Sequence, residues 1–139
     1  MQDIVNILRT GRHSLVIDSD GIHNYDGRGV SDLYRLFCHE PQLLHGASLA
    51  DKVVGKGAAA IMVSGGVRSV FAEVISTPAA ALLRQAGVEV AYAVEVPYIV
   101  NRTGDGRCPL ETLCEDCRTA DECMPRIAAF VDGLRTGSR

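Results

Sequence analysis

The chain has 139 residues, of which 47% are apolar and 22% charged, and its formal net charge is −3. This length and balance fit one globular domain with a single core and leave little room for a second domain. The acidic balance excludes the basic surface that nucleic-acid or anionic-membrane binding requires, and the longest uncharged stretch is too short to cross a bilayer.

The first part of the chain predicts a helix, a hairpin and a second helix. Apolar residues at helical spacing predict a first helix that stops at Gly11. Residues 14–18 and 22–25 are typical of two strands, and an Asp-Gly pair between them favours a tight turn. A second amphipathic helix follows and is closed by Pro41.

The middle of the chain predicts alternating helices and strands. Ser48 is a plausible N-cap for a long helix over residues 49–64, whose small side chains would let a sheet approach closely. The further predicted elements are a strand over 69–75, a helix over 79–85, a strand over 88–94 and an extension of the sheet over 96–100. Strands joined through helices imply parallel pairing, so hairpin and parallel strands together predict a mixed sheet in an α/β fold.

This order of elements resembles the cytidine-deaminase-like fold, and residues 75–88 resemble the deaminase segment around its Pro-Cys-x-x-Cys signature. More closely, the chain is similar to the family catalogued as domain of unknown function 1893, through residues 46–56, residues 96–104 and the Thr77-Pro78 pair. The resemblance implies a three-layer fold with a mixed central sheet and a cysteine-rich C-terminal segment. We expect residues 1–107 to form the deaminase-like domain and residues 108–139 to pack on it.

The zinc ligands of the deaminases are missing from this sequence. The two signature cysteines correspond to Ala79 and Leu82, and the His-x-Glu motif aligns best with Leu49 and Asp51. His45 is the only imidazole nearby, and one histidine cannot hold a catalytic zinc. The sequence therefore predicts no zinc-dependent deamination.

The resemblance implies a ligand pocket where the starts of the two central helices meet. Helix N-termini attract anions through free N–H groups and the helix dipole. The candidate ligand residues at these two starts are Ser48, Asp51, Lys52, Lys56, Ser76 and Thr77. One interpretation is that Asp51 and Lys52 contact a phosphate or nucleotide, and the other is a solvated lysine edge with an acid near the helix start.

A polar loop after the last predicted strand is the second candidate. Arg102 would clamp a phosphate or carboxylate, with Asn101 and Thr103 adding hydrogen bonds. The alternative is an ordinary turn, because Asn, Gly and Asp favour turns for conformational reasons alone.

Four cysteines form the strongest local pattern. Cys108, Cys114, Cys117 and Cys123 are spaced C-x5-C-x2-C-x5-C, which predicts an iron–sulfur cluster or a zinc site, while Cys38 stands apart. The proline after the first of them favours iron–sulfur. The N-terminus carries no secretory signal, so we expect a cytoplasmic protein, and free thiols or a disulfide pair are the alternatives to a metal.

Three functional classes remain open from the sequence. The first is a binding protein for a small-molecule ligand, with a nucleotide or small anion as candidate. The second is an enzyme of other chemistry that uses Asp51 or Lys52 as acid or base. The third is a redox or electron-transfer module organised by the cysteines.

Overall fold

The computed structural model describes residues 2–11, 13–27, 30–100, 106 and 108–135. The helices are α1 (Gln2–Thr10), α2 (Ser31–His39), α3 (Lys56–Gly65), α4 (Thr77–Gln85), α5 (Pro109–Leu113) and α6 (Ala120–Arg135). The strands are β1 (Leu15–Asp18), β2 (Ile22–Tyr25), β3 (Ser48–Val54), β4 (Ser69–Ser76) and β5 (Glu89–Val96).

The strands form one five-stranded mixed sheet in the order β2-β1-β3-β4-β5. Strand β1 is antiparallel to both β2 and β3, whereas β3, β4 and β5 are parallel to one another. Each parallel connection contains a helix, as short βαβ units require. The α/β class and the mixed sheet expected from the sequence are confirmed.

Helices cover the sheet from both sides and give three layers. On one face, α1 packs against a small cluster that includes Val16, Ala50 and Phe71. On the other face, α2, α3, α4 and α6 share the main core, in which Leu49 and Val70 of the sheet are fully buried. The two faces therefore differ strongly in the area that helices protect.

The expectation of one helix over residues 49–64 is wrong. Residues Ser48–Val54 form a central strand that pairs with β1 on one side and β4 on the other, and α3 begins only at Lys56. Ser48 is thus no helix cap, and Lys52 and Lys56 do not share a helix face. Helical and strand spacing are hard to separate in a short apolar run, and pairing on both sides decides for the strand.

The start of α4 agrees with its predicted N-terminal signals. Ser76 is the N-cap, and its Oγ accepts a hydrogen bond from the backbone N–H of Ala79 at 3.2 Å. Pro78 occupies the first turn, where its missing N–H costs nothing. Strand β5 ends at Val96 and the chain bends at residues 97–98, so the expected extension over residues 96–100 is not a continuous strand, although Val100 forms an isolated bridge.

The C-terminal segment, residues 108–135, packs on the helical layer through the main core. Its buried members include Leu110, Cys114 and Ile127. A Cβ atom on Gly57 of α3 would lie 2.6 Å from Cδ2 of Leu110, so a larger residue at this position would force the Leu110 side chain to shift. Of the helices within the described ranges, none combines the length and apolar character needed to cross a membrane.

Candidate functional site

The carboxylate of Glu111 lies where the N-termini of α3 and α4 meet, at the carboxyl ends of β3 and β4. The residue is only 6% exposed. Its Oε2 accepts hydrogen bonds from the backbone N–H of Lys56, at 3.0 Å, and from the Ser76 hydroxyl. Its Oε1 accepts from the backbone N–H of Ile99 at 2.5 Å. These donors satisfy the buried carboxylate, as its burial demands.

This carboxylate caps two helices at once. It caps α3 directly through the first N–H of that helix, since Gly55 at the N-cap position has no side chain to do so. It reaches α4 through Ser76, whose hydroxyl donates to Glu111 while accepting from Ala79. Because helix N-termini carry partial positive charge, the position between them favours an anion.

Lys56 anchors the other side of the site. It is 7% exposed, and its Nζ donates to the backbone carbonyl of Glu115 at 3.1 Å and to that of Cys117 at 2.5 Å. One residue of α3 therefore binds the C-terminal segment twice, through its backbone N–H to Glu111 and through its ammonium to the cysteine-bearing turn.

A cavity of about 160 Å³ adjoins this network. Its lining residues are Lys56, Pro78, Pro97, Tyr98, Glu111, Thr112 and Glu115. The volume is below the range of about 300–1,000 Å³ that is usual for organic ligands. In this arrangement the space suits a small group rather than a whole nucleotide.

The structure separates several residues that the sequence placed in one pocket. Ser48 lies at the beginning of β3, at the opposite end of the strand from Lys56, and its Oγ is 2.8 Å from that of Ser69. Lys52 is exposed on β3. Thr77 is also exposed, and its hydroxyl donates to Glu95 at 2.8 Å.

Of the ligand residues expected at the two helix starts, Lys56 and Ser76 reach the Glu111 site. The polar loop at Asn101, Arg102 and Thr103 lies outside the described residues.

Asp51 has an unusual titration. The residue sits in β3 opposite Leu15 of β1 and Ala72 of β4. Burial raises the pKa of its carboxyl to about 7, although hydrogen bonds from the backbone of Val53 and Lys52 favour the charged form. Asp51 therefore changes charge near neutral pH from within the sheet.

Three of the four clustered cysteines are buried side by side. Cys114, Cys117 and Cys123 belong to the main core, Cys108 is half-buried, and Cys38 is exposed. Burial raises the pKa of both the Cys114 and Cys123 thiols, and Cys123 also interacts with the other two sulfurs. All five are free thiols.

Among the residues that the structure describes, no three His, Cys, Asp or Glu side chains are grouped so that they could hold a metal ion. Two cations nevertheless lie close to the thiols, because Lys56 and Arg126 both lower the pKa of Cys114 against the larger effect of burial. Arg126 donates to the carbonyl of Leu113 at 2.9 Å and pairs with Asp116, which lowers the pKa of that carboxyl.

The residues that the sequence matched to the deaminase zinc ligands lie in the central strand β3 and in α4. Leu49 and Asp51 lie within β3, so the start of the buried helix, where a His-x-Glu motif would be, is Lys56-Gly57-Ala58 instead. Ala79 and Leu82 of α4 are buried in the core. The expectation that Leu49 and Asp51 open the buried helix is therefore wrong.

A wider depression lies at the other end of α3. It measures about 480 Å³ and is lined by Phe37, Pro41, Gln42, His45, Ser64 and Gly65. The Ser64 hydroxyl is buried and finds no hydrogen-bond partner among the described residues. The depression is distant from the charged network and offers no comparable set of oriented donors.

Glu111 and Ile99 were missed in the sequence because nothing local marks either as part of a site. Glu111 reads as an ordinary acidic residue in the first turn of a short helix. The available signal was Lys56, a lysine on a helix otherwise made of small and apolar residues, which requires polar partners when buried.

Comparisons with known proteins give a consistent assignment. A family model described as Domain of unknown function (DUF1893) matches residues 3–131. The crystal structure of a DUF1893 family protein from Thermotoga maritima is similar with a TM-score of 0.84 and 25% identity, over 92% of this chain and 87% of that one.

A diaminohydroxyphosphoribosylaminopyrimidine deaminase/5-amino-6-(5-phosphoribosylamino)uracil reductase from the same organism is only weakly similar. Its TM-score is 0.40 and its identity 14%, over 67% of this chain and 35% of that one. Among curated proteins, none matches.

Proposed function

The chain belongs to the family described as Domain of unknown function (DUF1893), and we propose that it is a small-anion-binding protein whose anion position is the one that the Glu111 carboxylate occupies. The scaffold provides the position, and the C-terminal segment fills it with a group of its own. A ligand that carries a carboxylate or phosphate competes with Glu111 for the same donors.

The observation that carries this proposal is the set of hydrogen bonds to Glu111. Two backbone N–H groups and one hydroxyl, from Lys56, Ile99 and Ser76, converge on one carboxylate between two helix N-termini. Donors in such positions are ordinary phosphate and carboxylate binders in proteins. Because the donors belong to three different parts of the chain, their convergence is a property of the fold and not of one local motif.

A nucleotide is the more specific candidate for the anionic ligand. Its phosphate would take the anion position, and the rest of the molecule would extend into the adjoining cavity. The cavity of about 160 Å³ is too small for that unless the C-terminal segment moves. Nucleotide binding therefore requires Glu111 to be displaced first.

Calorimetric titration with inorganic phosphate and with a nucleoside monophosphate tests the proposal. Glu111→Ala frees the donors, so we expect it to bind phosphate roughly tenfold more tightly than the native chain, because the internal competitor is gone. Ser76→Ala in the same background removes one donor and should reverse most of that gain. Glu115→Gln, which changes a carboxylate on the same cavity wall, is the matched control. Equal and negligible binding by all four proteins would overturn the proposal.

A metal or redox centre at the cysteines is a second candidate. It is favoured by three neighbouring buried thiols, Cys114, Cys117 and Cys123, with two cations nearby that partly offset the effect of burial on the pKa of Cys114. Iron–sulfur clusters and zinc both suit thiolate ligands, and binding either requires the sulfurs, with Cys108, to rearrange into one ligand group.

The content of metal and acid-labile sulfide in anaerobically purified protein tests this candidate. Replacing Cys114 and Cys117 by Ser should abolish any stoichiometric metal, and replacing the exposed Cys38 should not. Metal that survives the double replacement would contradict the assignment.

A further inference from the structure

The anion position and the cysteines are carried by the same short piece of chain. Glu111 and Cys114 are joined by a helical turn, since the backbone N–H of Cys114 donates to the carbonyl of Glu111 at 3.2 Å. The N–H of Cys117 donates to the carbonyl of Cys114 at 3.0 Å. The carboxylate and these thiols therefore cannot move independently.

The same piece of chain is held on the core by two polar attachments from one residue. The backbone N–H of Lys56 holds the Glu111 carboxylate, and its ammonium holds the carbonyls of Glu115 and Cys117. Beside them, Leu110 packs where Gly57 leaves room, and Ile127 and Val131 of α6 join the main core. Loss of Glu111 from its position weakens one of these attachments directly and leaves the others to hold the turn alone.

We propose that the C-terminal segment is a lid, latched by Glu111 and Lys56, that conceals a thiol site formed by Cys114, Cys117 and Cys123 until an anion takes the place of the Glu111 carboxylate. The inference rests on the proposed anion position for its trigger, and on the described contacts for the lid itself. Anion binding and thiol exposure then both require the same opening of the segment. The factor by which the anion favours the open state is therefore the factor by which opening raises the affinity for the anion.

The chemistry that the opened site performs is thiol–disulfide exchange with a low-molecular-weight disulfide. A thiol of the site loses its proton to solvent, and its sulfur attacks the disulfide, forming a mixed disulfide and releasing one thiolate. A second cysteine of the site then attacks the mixed disulfide and releases the other thiolate. Two protein thiols are oxidised to one disulfide, and the small disulfide is reduced to two thiols. Cys123 is placed for the second step because its sulfur interacts with those of Cys114 and Cys117.

Alkylation by iodoacetamide, followed by peptide mass spectrometry, measures lid opening cysteine by cysteine. Cys38 is exposed and outside the segment, so it serves as an internal reference in every sample. The proteins compared are the native chain, Glu111→Gln, Lys56→Met and the control Asp121→Asn, which changes an exposed carboxylate in the first turn of α6. Each is labelled with and without a metal chelator, and far-ultraviolet circular dichroism checks that it is folded.

In the two latch variants, we expect the rate of labelling at Cys114, Cys117 and Cys123 relative to Cys38 to rise roughly tenfold, because local opening sets the reactivity of buried groups. Asp121→Asn should label like the native chain. The two latch variants act through different atoms, so a variant that does not fold leaves the other to decide. Native-like protection in every folded latch variant would overturn the lid. So would protection that disappears on chelation alone, since a metal would then be what conceals the thiols.

Two further experiments test the thiol chemistry of the opened segment and its opening by an anion separately. Oxidised glutathione should remove two hydrogens from the mass of the opened variants, as an intramolecular disulfide requires, and leave the native chain unchanged; an unchanged mass in variants that alkylate fast would refute the exchange step. Inorganic phosphate added to the native chain should raise labelling of the three cysteines. If phosphate has no effect while the latch variants open, the proposed anion position fails and the lid stands.

Discussion

Helix α1 and the C-terminal segment are both terminal pieces packed on the sheet core, but they are attached in different ways. Helix α1 buries Ile4, Val5 and Leu8 in an apolar cluster of its own, and its polar contact, Arg9 with Glu73, is at the surface. The C-terminal segment also buries apolar side chains, but it adds the buried carboxylate of Glu111 and the buried ammonium of Lys56.

The difference is informative because apolar contacts alone suffice to hold a helix on a sheet. Burying a charge costs free energy that partners must offset, and an apolar side chain of similar volume is often equally stable there. A network of this kind is therefore weak evidence for stability and better evidence for a position that has to hold an anion. Helix α1 reads as structural, and the C-terminal segment as part of the site.

The largest effect should come from removing the carboxylate. Glu111→Ala leaves buried donors at Lys56, Ser76 and Ile99 without their acceptor, and we expect the free energy of unfolding to fall by about 3 kcal/mol. Urea unfolding followed by circular dichroism measures it. Addition of phosphate should restore part of the loss. A loss of stability below about 0.5 kcal/mol would mean that the network contributes no more than the surface ion pair of α1.

A steric change at the contact between α3 and α5 should have the next largest effect. Gly57→Ala places a Cβ atom 2.6 Å from Leu110, so Leu110 must shift and take Glu111 with it. We expect a loss of about 2 kcal/mol, as for other overpacked core positions. Hydrogen exchange should localise the loosening to residues 108–123 and leave α1 protected. Loosening spread evenly over both regions would remove the distinction between them.

The titration of Asp51 should make stability fall as the pH rises from acid to neutral. Its folded-state pKa of about 7 lies above the value of an unfolded aspartate, so the stability it contributes is present at acid pH, is lost as the pH rises through 7, and does not change further above that. Asp51→Asn cannot ionise, and between pH 5.5 and 8.5 the variant should gain about 2 kcal/mol relative to the native chain, most of it below pH 7.

Urea midpoints at the two pH values check this expectation. Asp51 lies in β3, which contacts α1 and leads into Lys56. If the pH effect loosens only α1 or only the C-terminal segment, β3 stabilises that attachment and not the other. A constant difference between the two proteins across this range would contradict the raised pKa.

The smallest effect should come from the polar contact of α1. The Arg9 guanidinium lies 2.5 Å from a Glu73 carboxylate oxygen and 5.3 Å from the centre of the Phe71 ring, but the arginine and glutamate side chains are 51% and 31% exposed. Arg9→Met keeps the apolar stem over the ring, and we expect it to cost about 0.5 kcal/mol. A loss comparable to that of Glu111→Ala would mean that α1 also depends on charge.

The sequence predicted most of the fold because most elements carry their own local signals. The Asp-Gly turn, the N-terminal proline of α4 and the glycines that end α3 each act within a few residues, and the hairpin, α4 and the end of α3 are found near their expected places. Family membership followed from longer motifs. The failure at β3 has the opposite cause, since Ser48–Val54 is a strand because β1 and β4 pair with it, and neither pairing is local.

The sequence by itself determined that the chain is an α/β protein of this family and that four of its five cysteines are concentrated in one segment. Tertiary structure alone decided which polar residues meet. Lys56, Ser76, Ile99 and Glu111 are far apart in the chain and come together because parallel strands end at one edge of the sheet, where two helices begin. Spacing along a sequence describes neighbours within a helix or strand, whereas a buried charge is satisfied by whichever donors the fold brings to it.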